Sequence, residues 1–211
     1  MRQASSLSDQ AIQDATLLLS EEAMRSYVDL SIGRRGFEGF IQTFCALELQ
    51  NRYNRRVITE PPRSYLKWRF PHSASNIDQI RVDIAKTRFK LDLLVFDPPP
   101  DHISEASLRA IIEFKQDAKP AKIKTDIGRT SALLSALADE PTPTQGNRFG
   151  LQLLCTMYAN EEGPQADIKN MEDIAADLGL RIRPPVTFCI SVGTSQLYCV
   201  VIGIPLTGKL R

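Results

Sequence analysis

Two short apolar stretches, each interrupted by charged residues, decide how this chain of 211 residues folds. Residues 91–96 read Leu-Asp-Leu-Leu-Val-Phe, and residues 110–115 read Ala-Ile-Ile-Glu-Phe-Lys. Runs of this length and composition predict buried β-strands. A lone charge inside such a strand is costly to bury, so Asp92, Glu113 and Lys115 need partners or a function.

These three charged residues can form one site. Side chains alternate across a strand, so Glu113 and Lys115 project from the same face, about 7 Å apart along it. If the strand of Asp92 pairs beside them, two carboxylates and one ammonium group converge. Such a set suits Mg²⁺ or Mn²⁺, with the lysine beside a metal-bound water. The alternative is a buried ion pair of Lys115 with either carboxylate, or edge strands that leave these side chains in solvent.

The remaining patterns predict an α/β protein with a mixed sheet flanked by helices. In order, they predict helices at 7–30 and from Gly33 or Gly36 to about Tyr53, a loop at 59–79, strands at 81–85, 91–96 and 110–115, a helix at 122–138, a strand at 149–157, a helix at 167–180, and a hairpin of strands 186–192 and 197–204. We expect a single domain, 1–211, whose C-terminal helix and β-hairpin (about 165–211) elaborate the core.

This combination of residues and element order resembles the PD-(D/E)xK nuclease superfamily, which includes many restriction endonucleases. The resemblance covers residues 33–157, which would form a restriction-endonuclease-like αβββαβ core. Glu113-Phe114-Lys115 matches the ExK motif in full, whereas Leu91-Asp92 stands where the family often has Pro-Asp. The resemblance implies that Asp92, Glu113 and the Phe114 carbonyl bind Mg²⁺, for which Mn²⁺ can substitute. It also implies that Lys115 positions the attacking water.

Many members of that superfamily add a glutamate from the first core helix. Gly36-Phe37-Glu38 resembles the opening of that helix in Mrr-like members, so we favour Glu38 as a further catalytic residue and metal ligand. Glu48 is the alternative, because ten residues are close to three helical turns and place it on the same face. Glu48 could instead pair with Arg52 on the helix surface.

The overall charge does not indicate a polyanion ligand, since 26 basic residues face 25 acidic ones. The charge is unevenly distributed, however. Residues 51–130 contain 16 basic and 10 acidic side chains, whereas residues 131–180 contain 2 and 8. A local basic face can therefore still contact phosphates. The two histidines, His72 and His102, exclude a multi-histidine metal cage, and we expect neither to be catalytic.

The basic block supplies the predicted contacts to nucleic acid. They are Arg52, Arg55, Arg56, Arg63, Lys67, Arg69, Lys119, Lys122, Lys124 and Arg129. Lys124 to Arg129 also resembles an Asp-Ile-x-Arg segment of restriction-like families, although Asp126 could merely pair with Lys122. Among the nearby aromatic residues, Trp68 could stack on an unpaired base, but we expect it to pack inside the protein.

The sequence thus predicts a magnesium-dependent endonuclease acting on DNA in restriction, repair or mobile-element defence. RNA is the other substrate class, and a nucleic-acid-binding or assembly module without cleavage activity is the alternative function. A homodimer through the C-terminal hairpin is also considered. Four cysteines in apolar surroundings, no signal-peptide pattern and no long apolar run predict a cytoplasmic protein without a membrane span.

Overall fold

In a computed structural model, residues 8–29, 36–80, 91–97, 107–138, 140 and 147–207 are described. These residues form six α-helices, one 3₁₀ turn and six strands. In chain order, they are α1 (Asp9–Asp29), α2 (Phe37–Asn51), β1 (Arg56–Thr59), α3 (Arg63–Arg69), the 3₁₀ turn (Pro71–Ser73), α4 (Ala74–Gln79), β2 (Leu93–Phe96), β3 (Leu108–Lys115), α5 (Pro120–Ala136), β4 (Phe149–Tyr158), α6 (Glu162–Asp177), β5 (Val186–Val192) and β6 (Ser195–Thr207).

The strands form one mixed sheet in the order β1-β2-β3-β4-β6-β5. β3 and β4 are parallel, and the other neighbouring strands are antiparallel. α5 connects the two parallel strands, as a parallel pair requires. The C-terminal hairpin continues the same sheet through β6, and its turn lies at Gly193, as predicted.

Both faces of the sheet are buried, because successive strand residues point to opposite sides. Leu93 and Val95 pack with α1 and α2 in one apolar cluster. Leu94 and Phe96 pack with α3, α4 and α5 in a second cluster on the other face. Asp92 lies two residues before Leu94 and therefore belongs to the α5 face.

The loop predicted at 59–79 is wrong, because most of this segment is helical. Pro61 and Pro62 precede α3, where a proline costs the helix no hydrogen bond. Leu66 and Phe70 then lie one turn apart and bury the inner side of the helix. Trp68, expected to pack inside the protein, is 74% exposed on the outer side.

The first strand of the sheet is also not where the sequence pattern placed it. The predicted strand 81–85 lies outside the described residues, and β1 at Arg56–Thr59 pairs with β2 instead. Four residues at a sheet edge, of which only Val57 is fully buried, give too weak an alternation to be recognised.

The apolar sequence surroundings of the four cysteines do not bury all of them. Cys45, Cys155 and Cys199 are buried, whereas Cys189 is exposed on β5. Among the described residues, no helix is both long enough and apolar enough to cross a membrane.

Candidate active site

β2 and β3 bring Asp92 and Glu113 side by side. The antiparallel register pairs Leu93 with Ile112, so Asp92, one residue before β2, lies level with Glu113 on the same face. The backbone N–H of Phe114 donates a hydrogen bond to Oδ2 of Asp92 at 2.7 Å. This bond uses one of the two carboxylate oxygens and fixes the side chain against the end of β3.

Two hydrogen bonds hold the backbone of Asp92 as well. Its carbonyl oxygen accepts from Nε2 of Gln42 on α2 and from the backbone N–H of Glu60, each at 2.9 Å. Glu60 has φ 44, a left-handed conformation that residues other than glycine rarely adopt. The chain turns here from β1 towards α3, so the elements on both sides of this turn are fixed relative to Asp92.

Two α5 residues, Asp126 and Arg129, complete the charged cluster. Glu113 is 2% exposed, and its Oε1 lies 3.0 Å from Nη2 of Arg129. The same Nη2 lies 2.9 Å from Oδ1 of Asp126, and Oδ2 of Asp126 lies 3.0 Å from Nζ of Lys115. Asp126 therefore bridges the two cations of the site.

Lys115 remains protonated in these surroundings. Burial lowers its pKa, but the nearby carboxylates, Asp126 first and Glu38 next, raise it more, so the pKa lies above its usual value. At neutral pH the side chain is thus an ammonium group that can donate hydrogen bonds.

In contrast to Lys115, Asp92 and Glu113 lie in surroundings that disfavour their charged forms. Burial raises the pKa of Glu113 well above its usual range, and the charge of Asp92 adds to this effect despite Arg129. Burial also raises the pKa of Asp92, although the hydrogen bond from Phe114 and the charge of Lys115 oppose it. Burial is thus the main cause of both shifts, and it disfavours the charged forms of these two carboxylates.

The structure distinguishes the two candidate glutamates of α2. The carboxylate of Glu38 accepts a hydrogen bond from the backbone N–H of Gln116, and it lies within electrostatic reach of Lys115 and Asp92. Burial raises the pKa of Glu38. Glu48 instead forms an ion pair with Arg52 on the helix surface. Glu38 is thus part of the cluster, and Glu48 is not.

The donor set fits a divalent cation such as Mg²⁺. Asp92 and Glu113 offer hard carboxylate oxygens, and a cation between them would stabilise the charged forms that burial disfavours. Within the described residues, no group of three or more His, Cys, Asp and Glu side chains is already arranged as a metal cage. Mg²⁺ does not need one, because it is commonly held by one or two carboxylates and several waters.

A cleft of about 450 Å³ lies at the same end of the sheet, and the residues that line it neighbour the cluster in sequence without belonging to it. Its walls include Phe37, which precedes Glu38, and Gln116, which follows Lys115. The cleft gives solvent access to the end of the sheet at which Lys115 lies.

The predicted nucleic-acid-binding cations are divided between the two ends of the sheet. Those near the charged cluster lie on or just before α5 or at the start of α3, namely Arg63, Lys119, Lys122, Lys124 and Arg129. Lys67 and Arg69 lie further along α3, and the guanidinium of Arg69 lies 5.8 Å from the centre of the Phe96 ring, towards the other end of β2. Arg52, Arg55 and Arg56 lie at the other end, because Arg56 pairs with Phe96 at the far end of β2. Arg55 is buried in an ion pair with Asp97 and therefore stabilises the fold instead of meeting solvent.

Sequence reasoning missed the role of Asp126. The alternative pairing with Lys122 is wrong, because Lys122 contacts Asp117 at 3.4 Å, whereas Asp126 points to Lys115 and Arg129. Its position in α5, one residue before Ile127 of the buried helix face, could have indicated that Asp126 is buried. A charged residue on that face needs a partner from the sheet.

Gln152 on β4 is a second residue that the sequence did not reveal. It lies opposite Glu113 in the parallel register, is buried, and directs Nε2 towards the Glu113 carbonyl oxygen at 3.4 Å. Its Oε1 has no hydrogen-bond partner among the described residues. A polar strand residue thus lies directly beside the buried glutamate.

Comparisons of the chain with models of protein families, with curated proteins and with solved structures found no match.

Proposed function

We propose that this protein is a metal-dependent nuclease that hydrolyses phosphodiester bonds, with DNA as the expected substrate. The observation that carries the proposal is the level placement of Asp92 and Glu113 on neighbouring strands, with Lys115 two residues further along β3. Two hard carboxylates and an adjacent ammonium group form the set that a phosphoryl-transfer site needs to bind a cation and orient a water.

The order of elements supports the same proposal. α2, β1, β2, β3, α5 and β4 follow one another as αβββαβ when the additional short helices α3 and α4 are set aside. This agrees with the core of the PD-(D/E)xK superfamily. With no match to a known protein, the resemblance rests on this order and on the residues of the cluster.

Four side chains of the cluster have a role in the proposed reaction. Asp92 and Glu113 would hold Mg²⁺, which supplies Lewis-acid stabilisation of the charge that develops on the phosphate oxygens. Lys115, protonated at neutral pH, would orient the attacking water by donating a hydrogen bond rather than by accepting its proton. Glu38 is the nearby carboxylate that can accept the proton, since its raised pKa makes it a stronger base than an exposed glutamate.

The alternative function is nucleic-acid binding or assembly without cleavage. It is favoured by the ion pairs Lys115–Asp126 and Arg129–Glu113, which satisfy part of the cluster within the chain itself. Such a module would bind nucleic acid with an affinity that falls with salt and does not depend on Mg²⁺.

The test is cleavage of end-labelled single-stranded DNA, double-stranded DNA and RNA with Mg²⁺ or Mn²⁺ and with EDTA. We expect metal-dependent cleavage that falls by at least about 100-fold in Asp92→Ala and in Lys115→Ala, because each removes a group that acts on the reacting phosphate or water. Circular dichroism should show that both variants fold.

Two glutamates of α2 give a matched control. Glu38→Gln should lose most of the activity, whereas Glu48→Gln, on the surface of the same helix, should retain it. The proposal is wrong if the wild-type protein cleaves none of the three substrates, or if Asp92→Ala and Lys115→Ala cleave normally.

A further inference from the structure

The one tryptophan of the chain is exposed where a packed residue was expected. Leu66 and Phe70 bury the inner side of α3, so Trp68, midway between them, points outwards from the opposite side. Tryptophan is usually well buried, because it carries the largest apolar surface of any side chain. An indole left in water on the outer side of a helix is therefore a candidate contact for a binding partner.

The ring of Tyr65 lies against this indole on the side that faces the protein core. The two rings lie one turn apart on α3, with centroids 5.8 Å apart and planes inclined at 48°. Tyr65 is itself half-buried against the cluster of apolar residues beneath α3. The pair therefore presents an aromatic surface whose inner ring is fixed by the core, which we call the α3 platform (Tyr65 and Trp68).

The charge around the α3 platform suits a polyanion. α3 carries Arg63, Lys67 and Arg69 and no acidic residue. Lys67 contacts Asp78 of α4 at 2.7 Å, Arg63 donates a hydrogen bond to the Ile80 carbonyl oxygen at 2.9 Å, and the guanidinium of Arg69 lies over the rings of Phe70 and Phe96. Three cations against one acidic partner on α4 leave this region with a net positive charge. Cations interleaved with aromatic rings bind single-stranded nucleic acids by combining phosphate contacts with base stacking.

The α3 platform lies on the same face of the sheet as the charged cluster, and the segment that leads to it begins beside Asp92. The hydrogen bond between the Glu60 N–H and the Asp92 carbonyl places the start of this segment against Asp92. Two residues, Pro61 and Pro62, separate Glu60 from α3, and Trp68 is the sixth residue of the helix. The backbone of Trp68 is thus at most about 20 Å from that of Asp92, given the rise per residue of extended chain and helix.

We propose that the α3 platform stacks on unpaired bases of the nucleic acid that the charged cluster cleaves. This inference rests on the proposed function and narrows its substrate to a single strand, or to a duplex with an unpaired segment beside the cleavage site. A base inside a duplex has both faces covered by its neighbours, whereas an unpaired base offers a free π-face to an indole ring.

The experiment uses the single tryptophan as its own probe. Wild-type protein in EDTA, which prevents metal-dependent cleavage, is titrated with oligo(dT) and with a blunt duplex while tryptophan emission is recorded. We expect saturable quenching by oligo(dT) and little quenching by the duplex. In an anisotropy assay with labelled oligo(dT), Trp68→Ala should bind about 5-fold to 100-fold more weakly, as expected for the loss of one stacked base.

Two further variants complete the test. Trp68→Phe, which retains an aromatic face, should recover most of the affinity. Leu47→Ala removes another exposed apolar side chain, on α2 at the opposite face of the sheet, and should bind like the wild type. Both Trp68 and Leu47 are exposed, so neither substitution is expected to disturb folding.

Every outcome decides between the two proposals. Normal oligo(dT) affinity of Trp68→Ala, unquenched emission at saturation, or equal quenching by the duplex overturns the α3 platform and leaves the nuclease function in place. Quenching and weakened binding without any metal-dependent cleavage overturn the nuclease function alone. A wild-type protein that binds neither nucleic acid contradicts both.

Discussion

Substituting Gly150 with alanine should displace α5 and thereby disturb the charged cluster, although Gly150 does not belong to the cluster. Gly150 lies on β4 opposite Ile111 of β3, on the face that α5 covers. A Cβ atom placed there would lie 2.6 Å from Cγ2 of Thr130 and 3.1 Å from Cβ of Leu206. Thr130 has a short, branched side chain that cannot move aside freely, so α5 itself must shift.

The expected cost follows from this overlap. Inserting a methyl group into a packed core usually destabilises a protein by about 1–3 kcal/mol. For a chain of this length, we therefore expect the melting temperature to fall by roughly 2–12 °C. Thermal unfolding followed by circular dichroism at 222 nm measures this change.

The same displacement of α5 should also slow cleavage by protein that remains folded. Thr130 follows Arg129 directly, and Asp126 lies one turn earlier on α5, so moving α5 outwards lengthens the ion pairs to Glu113 and Lys115. Activity measured well below the melting temperature should fall by about 10-fold or more, because small displacements of positioned groups are costly for catalysis.

Gly128 provides the matched control on the same helix. A Cβ atom at Gly128 would meet nothing within 4 Å among the described residues. Gly128→Ala should therefore stabilise the protein by about 0.5–1 kcal/mol through the helix propensity of alanine, and it should retain activity. If Gly150→Ala melts and cleaves like the wild type, or if Gly128→Ala loses activity with it, the tight packing of α5 does not position the cluster.

Three further predictions test the electrostatics of the cluster. Asp126→Asn should slow cleavage and move the alkaline limb of the pH–rate profile to lower pH, because it removes the largest influence raising the pKa of Lys115; an unchanged profile would contradict this. Glu113→Gln should abolish cleavage and yet stabilise the protein at neutral pH. The reason is that the raised pKa of Glu113 makes the folded state lose stability as pH rises from about 4.5 towards that pKa; urea unfolding at about pH 5 and about pH 7 should show this loss in the wild type, and an equal loss in the variant would refute it. Mn²⁺ at about 100 times its dissociation constant should raise the melting temperature of the wild type by about 5–10 °C, reversibly with EDTA. Equal stabilisation of Asp92→Ala would place the metal elsewhere.

The charged residues of the sheet were predictable because they stand out against their surroundings. Asp92 and Glu113 interrupt apolar strands, and the period of two in a strand places Glu113 and Lys115 on one face without further information. Helical periodicity reduced the candidates for the helix carboxylate to two, Glu38 and Glu48. Choosing between them required knowing that α2 begins, and does not end, beside β3.

The residues that the sequence missed depend on contacts between distant parts of the chain. Arg55 looked like another member of a basic block, yet it is buried against Asp97, forty-two residues away. Trp68 was predicted to be a core residue, because tryptophan is usually buried and because the prolines on both sides of α3 predicted a loop. For Arg55 and Trp68 alike, the sequence identified the chemistry of the side chain but not whether it is buried or exposed.

The same two strands carry a charged cluster at each end, and the contrast between them is the reason for choosing the near one as the proposed active site. At the far end, Asp97 is enclosed by Arg55 and Arg109, and none of the three side chains is more than 7% exposed. At the near end, Lys115 and Arg129 remain 19% and 17% exposed, and the carboxylates beside them keep raised pKa values. The cluster at the far end satisfies its charges largely within the chain. At the near end, partly exposed cations lie beside carboxylates whose charged forms burial disfavours, so a bound cation would stabilise this cluster, as the proposed active site requires.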